Sequence, residues 1–427
     1  RTLKHYVLGT PYFFKIMKKQ HYTRLIGVLV VVLFISCAPR KVISVKEVMD
    51  NTIEKLYKTM DYRQLSKLTN EQVMTIFSPD EKEALATQHW SFDVNVPAVV
   101  SVMVSEKQNV LPFWLTEKGF RKTNLTMKNE QTVYDVWQRS FKAGRVGLGV
   151  NSFDQELGMH YFVSVAPEKK DDQLNLSNFV PEKQFVGTLD NGAFTYHDWD
   201  ELVLADVPAE MKGQKLLTTT RGRMEESHLV GAFRSTNYPS SATPDQIHLS
   251  WSSDPTTSMD IAWRTDTTVN QSDVKFRIKG TTDEQSVFGE KVRLEDRMLA
   301  NDRYVNHFTA KLSNLKPGTT YEYVVGDKAD WKDASAFNTA ANDNSYSFIW
   351  FGDTHFSPKF GEILHLSYEK HPDAAFYSIV GDLVSDGLFR NQWDDLFEYS
   401  RGVMNNIPLM AVPGNHDNRA GLGAQLF

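Results

Sequence analysis

The strongest constraint on the fold lies toward the C-terminal end, where three apolar runs each stop at a glycine followed by polar side chains. These turns read Gly352-Asp353-Thr354-His355, Gly381-Asp382-Leu383-Val384 and Gly414-Asn415-His416-Asp417. The runs before them, residues 346–351, 375–380 and 407–412, are short and largely apolar, the pattern of buried strands bounded by a breaker. Between them, residues 359–371 and 389–405 are long enough and suitably patterned for crossover helices. Strands that alternate with such crossovers pair in parallel, giving a β-α-β-α-β unit. In open sheets of this kind a ligand gathers beyond the carboxyl ends of the strands. All three polar turns fall at that edge.

Asp353, His355, Asp382 and Asn415 offer carboxylate oxygen, imidazole nitrogen and amide oxygen, a donor set suited to divalent Mn, Fe, Zn or Ni. The chain has one cysteine, Cys37, so no thiolate cluster competes for this role. A carboxylate has two oxygens, and one aspartate can join ions held about 3.5–4 Å apart. Asp382, on the middle turn, is the expected bridge.

The three turns resemble the motifs of the calcineurin-like metallophosphoesterase family, which run Asp-x-His, Gly-Asp-x-x and Gly-Asn-His-Asp/Glu, then a lone His and Gly-His-x-His. The resemblance implies hydrolysis of phosphomonoesters or phosphodiesters by two divalent metal ions. By the same resemblance Asp353 and His355 bind the first ion, Asp382 bridges and Asn415 binds the second. His416 is then the catalytic histidine, a general acid for the leaving oxygen, oriented and made more basic by Asp417. The purple acid phosphatase subfamily carries a tyrosine ligand three residues after the middle aspartate and lacks the first-motif histidine. Here Ser385 stands at the tyrosine position and His355 is present, so a non-purple site is expected. Asp386-Gly387 reads as a turn opening the second crossover, and His365 and His371 as helix-associated residues. The match ends with the third motif, and the chain begins at Arg1. The expectation is a C-terminally truncated fragment, with incomplete metal shells and little phosphatase activity of its own.

Upstream, residues 241–340 alternate apolar and polar positions in short runs split by turn residues, as in Ile247-His248-Leu249-Ser250-Trp251 and residues 259–263. That pattern predicts a β-sandwich. The run Leu315-Lys316-Pro317-Gly318-Thr319-Thr320-Tyr321 resembles the fibronectin type III signature in which the tyrosine forms a corner hydrogen bond. A fibronectin-like domain ahead of a metallophosphoesterase resembles the arrangement in purple acid phosphatases, with the sandwich expected to serve as a spacer.

Near the N-terminus, Met17 followed by Lys18, Lys19 and Arg24 and an apolar run at 25–35 reads as a signal peptide over 17–37, with 1–16 as upstream translation. The apolar run falls well short of the roughly 20 residues that span a bilayer as a helix. Leu33-Phe34-Ile35-Ser36-Cys37 resembles a bacterial lipobox with phenylalanine where leucine is usual. That resemblance implies a lipid anchor on Cys37, the membrane as a partner, and a bacterial cell-envelope location facing the periplasm or exterior. Residues 38–90 read as short helices, with a capping box at Ser78-Pro79-Asp80-Glu81. Residues 91–205 read as a β-rich module of unknown function, and Trp90, Trp114 and Trp137 in and beside it are expected to pack in a core. Residues 206–240 read as a linker, and 345–427 as the partial metallophosphoesterase domain.

The fold class is therefore multidomain α+β: a β-rich N-terminal module, a fibronectin III-like sandwich, then the first half of an α/β metallophosphoesterase domain. A net charge of −6 with mixed signs leaves no basic stripe for nucleic acid. The alternative to an enzyme is a non-catalytic envelope lipoprotein whose β modules bind glycan or protein.

Overall fold

The computed structural model describes residues 43–156, 159–326, 330–342 and 345–418. The expected signal peptide and Cys37, the expected lipidation site, lie outside the described residues. Among the described residues no helix is long and apolar enough to cross a membrane.

The described chain opens with helix Val45–Thr59, capped by the Ser44 side chain, and three shorter helices that each begin with a capping box. The expected box at Ser78 is one of them: its hydroxyl accepts from the Glu81 amide while the Glu81 carboxylate accepts from the Ser78 amide. Val48, Met49, Ile53 and Leu56 recur at helical spacing and pack on Val150, Phe153, Leu229 and Phe233. The helices are thus docked on the β-rich module rather than standing apart from it.

That module is built on an eight-stranded antiparallel sheet. Its order is Phe185–Thr188, Lys215–Thr218, Phe162–Pro167, Ala98–Ser105, Val133–Phe141, Arg121–Asn129, Trp199–Asp206, Phe194–Tyr196. A bridge between Tyr196 and Thr219 brings the far end of the sheet back beside the Lys215–Thr218 strand, so the sheet curls on itself. One core of Met103, Met127, Tyr134, Phe162 and Leu204 fills one side. On the other side packs a three-stranded sheet of Gly144–Leu148, Trp90–Val94 and Leu176–Val180, and Trp90, Trp114 and Trp137 are buried in the core between them. Strand Lys215–Thr218 corrects the expectation that 206–240 is a linker, because it is paired on both edges inside the sheet. Four residues in which only Leu216 and Leu217 are apolar, one facing each of the two cores, give too short a pattern to be read from sequence.

The sandwich has two four-stranded antiparallel sheets. One is Asp245–Ser250, Met259–Thr265, Tyr304–Leu312 and Glu290–Glu295, the other Gln285–Phe288, Asp273–Ile278, Thr320–Val325 and Ser335–Asn338. Trp263 stacks on Phe308 with ring centroids 5.5 Å apart at the centre of its core. The Tyr321 hydroxyl accepts the Lys316 amide at 2.9 Å, the corner bond its signature implied.

The last unit holds three parallel strands, Phe348–Phe351, Phe376–Val380 and Leu409–Val412, in sequence order. Helices Pro358–Lys370 and Arg390–Tyr399 cross over between them and pack together on one face of the sheet, around Tyr377, Ile379, Trp393, Leu396 and Leu409. The second helix is shorter than residues 389–405, since the chain leaves helical geometry at Ser400 and Gly402 takes φ of 88°.

Sandwich and α/β unit are joined by buried charge. Arg264, 1% exposed, pairs with Asp394 at 2.6 Å and with Asp245 at 2.6 Å. Arg390 pairs with Asp302, and the Arg390 amide donates to Asp296 in the sandwich at 3.1 Å. Backbone and side-chain bonds extend the seam: Leu249 N donates to the Met404 carbonyl, and the Tyr323 hydroxyl to the Asn405 carbonyl.

Candidate metal centre

The first two strands of the parallel sheet end in loops whose backbone departs from ordinary extended or helical geometry. Asp353, His355, Phe356 and Asp382 have φ between 45° and 50°, the left-handed region that costs a residue with a side chain roughly 1–3 kcal/mol. Three of those four are expected metal ligands. The strain is held by bonds between loops: His355 N donates to the Asp382 carbonyl at 2.9 Å and Phe356 N to the Leu383 carbonyl at 2.7 Å.

Close approach of the second and third loops explains two glycines. Gly381 has φ of 87°, and a side chain on Gly414 would place its Cβ 2.2 Å from Asp382 Oδ1. That space lets Asp382 Oδ1 accept the His416 amide at 3.1 Å.

The result gathers the candidate ligands. Single donor atoms of Asp353, His355 and Asp382 all lie within 4.8 Å of one another. His355 Nε2 is 3.9 Å from Asp382 Oδ2, with the aspartate 14% exposed and the imidazole 37%. Two oxygens and a nitrogen at this spacing fit a borderline divalent cation. Asn415 is exposed on the third loop, next to His416. The rings of His355 and His416 meet edge to face, 5.1 Å between centroids.

The structure departs from the expectation for Asp417. Its buried carboxylate accepts the backbone amides of Leu383, Val384 and Gly414 at 3.2, 3.0 and 2.8 Å, so it ties the second and third loops together. His416 Nδ1 instead lies 2.8 Å from the Ser385 carbonyl. The physical reason is the sharp turn at Gly414, which points the carboxylate at neighbouring amides with no other partner in the strand ladder. Asp386, buried, accepts the Leu388 amide and serves the turn. His365 reaches the Tyr399 carbonyl and His371 caps its helix, so neither joins the centre.

Two further residues contact the centre, and of these Gln392 has no sequence signal. Ser385 Oγ lies 3.2 Å from His355 Nδ1, and Gln392 Oε1 accepts the amides of Ser385 and Asp386, both at 2.9 Å. The position of Ser385, three residues beyond Asp382, was the one available clue.

Comparison with known proteins agrees with this picture in two segments. Residues 244–339 match the family model of the purple acid phosphatase N-terminal domain, and residues 346–426 match that of the calcineurin-like phosphoesterases. No curated protein matches the chain. Among solved structures it is similar to purple acid phosphatase PPD1 from seeds of yellow lupin (Lupinus luteus), at 12% identity and a TM-score of 0.36 over 78% of this chain and 55% of that one. It is also similar to a PhoD structure, at 10% identity and a TM-score of 0.28 over 43% and 40% of the two chains. The chain therefore spans little more than half of the lupin enzyme's length. Its C-terminal half thus matches a purple acid phosphatase N-terminal domain followed by a calcineurin-like phosphoesterase segment, which supports a phosphoester hydrolase whose family uses divalent metal ions.

Proposed function

We propose that the protein hydrolyses phosphomonoesters or phosphodiesters at a dinuclear centre, with Asp353, His355 and Asp382 holding one ion and Asp382 and Asn415 the other. The observation that supports this reading is the convergence of Asp353, His355 and Asp382 on loops held in left-handed geometry. Mn, Fe, Zn or Ni suits the donor set. When bound, two such ions stabilise charge on the transferring phosphoryl group and activate water near neutral pH.

The chain's own residues do the rest. Asp382 presents its carboxylate to both sides, while the His416 amide on Oδ1 keeps it from rotating. His416 has Nδ1 engaged by the Ser385 carbonyl, so its protonated, imidazolium form would present Nε2–H to the departing oxygen. Asp417 keeps the second and third loops in register so that this imidazole stays beside His355.

The test is Mn²⁺-dependent hydrolysis of p-nitrophenyl phosphate and its bis-ester, compared with Asp382→Asn and His416→Ala. Chelation should abolish turnover, and Asp382→Asn should lower it further than His416→Ala at saturating metal. An Asp382→Asn variant as active as the parent overturns the two-metal assignment.

The same reading places the protein on the bacterial envelope, anchored by a lipid on the Cys37 thiol, as the lipobox-like run supports. Incorporation of labelled palmitate in a bacterial host, lost in Cys37→Ser, is the expected result. Equal labelling of the variant removes the anchor.

A further inference from the structure

We propose that Ser385 is a positioning residue for both histidines at the centre, its carbonyl setting the ring tautomer of His416 and its hydroxyl orienting the ring of His355, and that Gln392 holds it there. The inference deepens the metal-centre reading and rests on it.

A neutral imidazole carries one N–H and one lone pair, and the partner of each nitrogen decides which is which. The Ser385 carbonyl can only accept, so His416 Nδ1, 2.8 Å away, carries the hydrogen and Nε2 keeps its lone pair. His355 turns Nε2 toward Asp382 and Nδ1 toward the Ser385 hydroxyl, at 3.9 and 3.2 Å. An ion held at Nε2 would need that nitrogen's lone pair, and Nδ1 of His355 would then carry the hydrogen and donate it to Oγ. Histidine free in water favours the opposite, Nε2–H form. The His416 ring is therefore held in the less common tautomer, the His355 ring would join it once an ion is bound, and one residue contacts both.

The anchor of that residue is as specific. Gln392 Oε1 accepts both Ser385 N and Asp386 N, which fixes the carbonyl and hydroxyl of Ser385 relative to the helix Arg390–Tyr399. The first amide of that helix donates to Asp296 of the sandwich, and Asp296 takes a two-pronged contact from Arg234 at 3.0 Å to each oxygen. The ring positions are thus referred to the sandwich through Gln392.

The test uses the full chain labelled with ¹⁵N-histidine, metal-free at pH 8, with His355→Gln and His416→Gln serving for assignment. The parent should show His416 as Nδ1–H. Ser385→Ala should shift the His355 ring-nitrogen signals, whose hydroxyl partner is lost, and leave His416 unchanged, because the carbonyl remains. Ser385→Thr, which keeps the hydroxyl, should restore His355, and Gln392→Leu should disturb both rings. Titration with Co²⁺, followed by its visible absorption, should show affinity weakened about 10–100-fold in Ser385→Ala and recovered in Ser385→Thr. An Nε2–H His416 in the parent, or Co²⁺ affinity unchanged by Ser385→Ala, overturns the proposal. A parent that binds no Co²⁺ while its rings respond as described overturns the metal-centre reading and supports the role of Ser385.

Discussion

The sandwich and the α/β unit bury their apolar residues in different ways. In the sandwich two sheets face each other, and Trp263, Phe276, Phe308 and Tyr323 are at most 2% exposed between them. In the α/β unit both helices lie on one face of the sheet, while Phe348, Trp350, Val380 and Val412 on the strands remain 46–69% exposed. A unit with half its sheet uncovered gains less from burial, at about 25 cal/mol per Å² of apolar area. What compensates is the seam: buried ion pairs and backbone bonds from the sandwich onto the helix that follows the middle motif. The sandwich is thus a structural part of the site's support.

The largest test of that difference is Arg264→Met. It leaves Asp394, 1% exposed, without its nearest cation, and unpairing a buried charge costs about 3–5 kcal/mol. Urea unfolding should show the loss, and limited proteolysis should cut first within residues 345–418. Cleavage that begins in 244–339 instead would mean that the sandwich depends on the α/β unit and not the reverse.

Gly414→Ala acts on the loops alone. Its Cβ meets Asp382 Oδ1 and N at 2.2 and 2.4 Å, so the second and third loops must part, at a cost of about 1–3 kcal/mol. Mn²⁺ affinity should fall by about tenfold or more while near-UV circular dichroism of the sandwich tryptophans holds. Unchanged Mn²⁺ affinity would show that the strained loops do not set the centre.

How much of this was legible beforehand varied with the range of the interactions. Strand–helix alternation and the order of the three turns gave the parallel unit, because its pairs are neighbours in sequence and its breakers are glycines. The Tyr321 corner was legible for the same reason, since its partner Lys316 is five residues away. The seam was not: Arg264 and Asp394 are 130 residues apart, and nothing in either local pattern marks a buried pair. The task of Asp417 was misread because a Gly-Asn-His-Asp string shows which side chains are adjacent and hides which amides they face. Strand Lys215–Thr218 was hidden by its length.

Acid should loosen the seam before the sandwich core. Burial lowers the His248 pKa, and it pushes that of His307 down to about 3, helped by nearby His248, Arg264 and Arg390. The unfolded chain therefore binds protons that the folded chain refuses. Stability is complete above the unfolded value near 6.5 and falls as pH drops from there toward the folded values, by at most about 1.4 kcal/mol per pH unit for each group. Asp394 acts oppositely, since burial raises its carboxyl pKa. Urea midpoints measured from pH 7.5 to 4.5 should decline less steeply in His307→Gln than in the parent. Parallel declines would remove His307 from the account.

The smallest effect should come from the uncovered face. Trp350 is 69% exposed, so Trp350→Ser removes little buried area and should change stability by no more than about 0.5 kcal/mol. Its partner in the comparison is Trp393, 1% exposed between sheet and helix, with its indole donating to the Gly387 carbonyl at 3.1 Å. Trp393→Ala should cost about 3–5 kcal/mol by the cavity it leaves. Thermal unfolding of the two variants side by side measures how one-sided the unit is. A Trp350→Ser loss that approaches the Trp393→Ala loss would mean that the strand face rests against something in solution, and the contrast with the sandwich would shrink accordingly.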